Sequence, residues 1–143
     1  MNNQQFFEGS AKVTEIVSLI FRASGNLEDK DLQKDVRKAC GIIYAENNRS
    51  QQAYNKFLGA KIPKTSKYPK LKEIVNHSAP KNSLVDLKDQ LIEVDSLIDK
   101  MKNDKIHTGF GEIWKKEDID IARFVRMDEA LVVISSVIDA IEE

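Results

Sequence analysis

The chain has 143 residues, 22 Lys and Arg against 23 Asp and Glu, and one cysteine. That length fits a single domain over residues 1–143, large enough to bury a core unaided. One cysteine excludes an internal disulfide framework and a cysteine-based zinc site, and no apolar run reaches the roughly 18–20 residues of a membrane span.

The apolar period is helical nearly throughout. Val13, Ile16, Val17 and Ile20 share one face and predict a first helix over about Ser10–Ser24, with Ser10 as a cap. Phe6 and Phe7 either extend it backwards or fold over the end of the bundle. Ser24-Gly25-Asn26 reads as its stop. A second helix follows over about Glu28–Asn47, with Asp29 and Asp31 at its positive end. Leu32, Val36, Ala39, Cys40 and Ile43 form its stripe. Gly41 lies inside it at a cost of about 1 kcal/mol relative to Ala. Asn47-Asn48-Arg49-Ser50 reads as a break or kink before a shorter helix over Gln51–Gly59.

Ala60 to Pro69 reads as a loop, because proline biases the residue before it away from helix. Pro69 opens another short helix that ends at His77-Ser78-Ala79-Pro80. The strongest pattern comes next. Leu84, Leu87, Leu91, Val94, Ile98 and Met101 are spaced 3-4-3-4-3, a heptad seam. Ser83 and Asp86 occupy capping-box positions at its start. Ile106 to Trp114 reads as a Gly-punctuated loop. A last helix spans about Lys116–Ile141, with Ile121, Phe124, Val125, Leu131, Ile134, Val137, Ile138 and Ile141 as its apolar positions.

These elements predict an all-α fold: a single helical bundle of four principal helices, with one or two short helices around a basic, Pro-containing loop. Up-down packing is the usual solution for such a pattern. The predicted core is Val13, Ile16, Val17, Ile20, Val36, Cys40, Ile43, Leu87, Leu91, Val94, Ile98, Phe124, Leu131, Ile134 and Ile138.

Motifs for chemistry are sparse. Gly109-Phe110-Gly111 starts like a phosphate loop, but Trp114 stands at the third glycine position. Asp29 to Cys40 starts like a calcium loop and lacks its glycine and its closing glutamate. His77 and His107 have no partner in sequence. Cys40 sits on an apolar stripe, where an inert thiol is expected. No catalytic residue, metal ligand or cofactor is therefore assigned.

Charge is unevenly distributed. From Arg49 to Lys81 eight basic residues face Glu73 alone, giving +7, whereas residues 82–143 carry 15 acidic against eight basic, giving −7. Tyr54, Phe57 and Tyr68 are interleaved with the lysines, which suits either an acidic protein partner or nucleic acid. Asp86, Asp89 and Glu93 share a helix face, a surface suited to a basic partner. Asp95 and Asp99 form a further i, i+4 pair.

The leading expectation is a non-enzymatic protein-interaction module of the immunity, antitoxin or adaptor kind. Its contact residues are Tyr54, Lys56, Phe57, Lys64, Lys67, Tyr68 and Lys70, with Asp86, Asp89 and Glu93 as a second surface. The alternative is a nucleic-acid-binding accessory protein that uses segment 49–81. The seam over 84–101 suits either the bundle's own core or a homodimer. The first five residues lack the basic start of a secretory signal, so a cytoplasmic protein is expected.

Overall fold

Four helices carry the fold in a computed structural model that describes residues 3–57, 83–103, 106–108, 111–113 and 121–142. They are α1 (Asn3–Ala23), α2 (Lys30–Phe57), α3 (Lys88–Asn103) and α4 (Ile121–Glu142). Short 3-10 turns follow α1 at Ser24–Asn26 and precede α3 at Val85–Leu87. The strands β1 (Ile106–Thr108) and β2 (Gly111–Ile113) pair antiparallel, so part of the expected Gly-punctuated loop is a small two-stranded sheet. The protein is an all-α bundle.

Helix starts follow local chemistry. The Asp29 carboxylate caps α2, its Oδ1 accepting from the amides of Asp31 at 2.9 Å and Leu32 at 3.2 Å. Ser83 and Asp86 form a reciprocal box. The Ser83 amide donates to the Asp86 carboxylate at 3.2 Å, and the Asp86 amide donates to the Ser83 hydroxyl at 3.3 Å.

Each helix packs on two neighbours: α1 on α2 and α3, and α4 on α2 and α3. Around the bundle the order is α1, α2, α4, α3. Lys88 meets Glu142 and Lys102 meets Asp128, so α3 and α4 run antiparallel. Glu46 meets Arg126, and Arg123 donates to the carbonyl of Arg49, which sets α2 antiparallel to α4. Therefore α2 and α3 run the same way on opposite corners, and the direction does not alternate along the chain as simple up-down packing requires.

Every residue of the predicted core is buried, together with Phe6, Tyr54, Met101 and Met127. The heptad seam of Leu84, Leu87, Leu91, Val94, Ile98 and Met101 lies wholly inside this core. The bundle itself uses the seam.

Two expectations about α1 and α2 are corrected. Ser10 is not a cap, because α1 begins a full two turns earlier and Phe6 and Phe7 lie within it. Asn47 to Ser50 is not a break, because α2 continues through it to Phe57. Both corrections share one cause. Ser10 and Asn47 are buried against each other between the two helices. The Ser10 hydroxyl donates to Asn47 Oδ1 at 2.9 Å. Asn47 Nδ2 donates to the Ser10 carbonyl at 2.9 Å and to the Thr14 hydroxyl at 3.0 Å. Buried polar groups that are fully paired specify one alignment of their helices. One end of the α1–α2 pair is closed by Phe6, Phe7 and Tyr54, with Phe6 and Tyr54 ring centroids 4.5 Å apart. At the other end Arg37 donates to the Ser24 hydroxyl at 3.0 Å and lies over the Phe21 ring.

Candidate functional site

The residues expected to bind a partner fare differently. Tyr54 is 0% exposed and belongs to the aromatic cluster with Phe6 and Phe7, so its ring is a core element and not a contact surface. Burial pushes its phenol up to about 12. Lys56 and Phe57 end α2, but their side chains lie outside the described residues, as do Lys64, Lys67, Tyr68, Lys70 and His77. His107 is in β1, opposite Glu112. Arg49, which opens the basic segment, is paired with Glu46 on its own helix. Asp86, Asp89 and Glu93 are all exposed.

Cys40 is fully buried, and desolvation pushes its thiol up to about 12, despite the nearby Arg37 charge. A thiol held protonated in this way is a packing group.

The exterior is more informative on either side of α4. This helix is apolar beyond its core face: Val125, Val132 and Val133 are exposed, as are Ile42 on α2 and Ile92 on α3. Two grooves flank it. The larger, about 780 Å³, lies between α2 and α4 and includes Ala39, Gly41, Ile42, Ala45, Ala130 and Val133. At one end of it Glu46, only 5% exposed, holds Arg49 and Arg126. Across the groove the charges balance, with Asp35, Glu46 and Glu129 against Lys38, Arg49 and Arg126.

The smaller groove, about 480 Å³, lies between α3 and α4. Ile92 and Val132 line it and are the most exposed large apolar side chains described, at 63% and 64%. Around them stand Asp95, Asp128 and Asp139, with Lys88 at one end. Lys88 is held by Glu142 at 3.0 Å. Carboxylate oxygens of Asp95, Asp99 and Asp128 lie within 4.8 Å of one another. The Lys102 ammonium sits among them, 2.6 Å from Asp128 and 3.5 Å from Asp99.

One ammonium does not neutralise three carboxylates. Desolvation raises the Asp95 carboxyl above its ordinary range, the charges of Asp99 and Asp128 raise it further, and Lys102 opposes them. Asp128 Oδ1 is buried without a hydrogen-bond partner among the described residues. The groove therefore combines aliphatic surface with carboxylates whose charge is incompletely met. Asp86, Asp89 and Glu93 fall on another flank of the α3 region and do not line it. The sequence pairs Asp95 with Asp99 through their i, i+4 spacing, but Asp128 comes from a different helix and no local pattern joins it to them.

No family model matches the chain, and no curated protein or solved structure matches it either. None of the helices in the described residues is long and apolar enough to cross a membrane.

Proposed function

We propose that the protein is a non-enzymatic interaction module whose contact surface is the α3–α4 groove, and that its partner is a protein presenting a basic amphipathic helix. The observation that carries this reading is the pairing of Ile92 and Val132 with the acidic rim of Asp95, Asp128 and Asp139. Large exposed aliphatic side chains bordered by charge are the composition of a binding surface: the apolar part supplies affinity, and the charges supply orientation and rate. A helix laid in a groove reads as anchors at i, i+3, i+4 and i+7. Lysines beside those anchors meet the carboxylates that Lys102 leaves incompletely balanced.

The sequence feature behind a second reading is the +7 count over residues 49–81, which suits nucleic acid. The two readings separate in one binding experiment by fluorescence anisotropy. Three probes are used: a helical peptide of leucine anchors and lysines, a scrambled isomer of equal charge, and single-stranded DNA. The interaction reading expects the ordered peptide to bind best and Ile92→Lys to weaken it at least about tenfold, the scale of one hot-spot side chain. Equal binding of ordered and scrambled peptides, or preferential binding of DNA, overturns it.

A further inference from the structure

The α2–α4 groove differs in charge from the proposed partner surface, and it points to a different occupant. Its floor holds an oddity. Gly41 lies mid-helix, where glycine is about 1 kcal/mol less favourable than alanine. A Cβ at Gly41 would meet nothing within 4 Å. The fold itself has no need of a glycine there. The exposed surface of α2 beside it also carries a regular stripe. Asp35, Lys38, Ile42, Ala45 and Arg49 follow one another at steps of 3, 4, 3 and 4, the spacing of a helix–helix seam. All five line the groove, on the side of α2 away from the buried Val36, Cys40 and Ile43.

We propose that this groove is the interface with a second copy of the chain, formed by antiparallel packing of α2 on α2 about a two-fold axis at Ile42. Charge complementarity selects this occupant. In that register position 35 faces position 49, and Ile42 faces its own counterpart. Asp35 thus meets Arg49 of the second copy, whereas Glu46 stays buried on its own Arg49 and Arg126. Symmetry repeats this pair on the other side of the axis, as an isologous interface requires. The groove's three acidic and three basic side chains also leave it neutral, so a copy of the same surface is not repelled. The parallel alternative places Asp35 beside Asp35 and Arg49 beside Arg49. Small side chains at Ala39, Gly41 and Ala45 allow close approach, with Ile42 and Val133 as the apolar centre.

The test is sedimentation equilibrium of the full chain together with cysteine cross-linking. Native Cys40 is buried and serves as the silent control. The wild-type chain is expected to dimerise with a dissociation constant below about 1 mM. Ile42→Glu places like charges on the axis and weakens this at least about tenfold, with an unchanged far-ultraviolet circular dichroism spectrum. Ile42→Cys gives a disulfide-linked dimer on mild oxidation. Asp35→Cys and Arg49→Cys cross-link to each other when mixed, and neither cross-links to itself. A chain that stays monomeric with Ile42→Cys remaining reduced overturns the proposal. So does a dimer that Ile42→Glu leaves intact, or one that cross-links position 35 to position 35.

Discussion

The two sides of α4 are built from similar aliphatic side chains and differ in how their charges are met. Towards α2, Glu46 is buried and held by two guanidinium groups, and the groove is neutral overall. Towards α3, one ammonium serves three carboxylates, and Asp95 is raised above its ordinary range by desolvation and then by the charges of Asp99 and Asp128. The same burial that strengthens a satisfied pair makes an unsatisfied group costly. The first groove is thus electrically closed and suits a neutral surface such as the chain's own. The second is electrically open and suits a cation-bearing partner.

The strongest way to break this comparison is to remove the frame that both grooves share. Asn47→Leu deletes the bonds to Ser10 and Thr14 and leaves the Ser10 hydroxyl buried without the acceptor it has in the wild-type chain. The expected loss is about 3 kcal/mol, which lowers the melting temperature by roughly 10 °C for a chain of this size. Calorimetry checks it. An unchanged melting temperature means that this polar contact does not align α1 and α2.

Substitution at Glu46 acts on one groove alone. Glu46→Gln removes a charge that holds both Arg49 and Arg126, and a loss of about 1–2 kcal/mol is expected for charge-assisted bonds of this kind. Peptide binding at the α3–α4 groove should not change. If that binding falls in parallel with stability, the two grooves are not independent.

Gly41→Ala runs in the opposite direction. The added methyl group meets open space, so chemical denaturation should show a gain of about 0.5–1 kcal/mol under conditions that keep the chain monomeric. A loss would mean that the backbone there requires glycine.

The smallest effect is expected at Asp95. Its folded-state pKa is raised, so its charge destabilises the folded state at neutral pH, and this penalty disappears as the pH falls through that pKa. Asp95→Asn should therefore be neutral or stabilising by up to about 0.5 kcal/mol. The same titration makes binding of a cationic peptide weaken on acidification earlier than an ordinary carboxylate would dictate. Chemical denaturation of the two chains reads the first effect, and a pH series of peptide affinity, for wild-type and Asp95→Asn chains, reads the second.

The sequence was most legible where one side of a helix meets the core. The periods of Val13 to Ile20, Leu84 to Met101 and Phe124 to Ile138 mark the inward faces of α1, α3 and α4 because burial imposes the helical repeat on apolar residues. Local caps were equally readable, since Asp29 and the Ser83–Asp86 box act within a few residues. What depended on distant partners was not. A polar run such as Asn47 to Ser50 looks like a break until Ser10, 37 residues away, is known to face it. Tyr54 among lysines looks like a surface aromatic until Phe6 and Phe7 are found against it. The acidic groove was partly visible in Asp95 and its i, i+4 neighbour Asp99 beside it, yet Asp128 and Val132 join Asp95 only through packing of α3 on α4.

The proposed binding of a basic amphipathic helix in the α3–α4 groove is open to direct observation. Nuclear magnetic resonance titration of the isotope-labelled chain with the leucine–lysine peptide tests it most directly. Binding in the groove gives saturable shifts centred on Ile92, Asp95, Val132 and Ser135, which the scrambled isomer does not reproduce. Shifts scattered over the surface, centred on the α2–α4 groove, or identical for both peptides would contradict it.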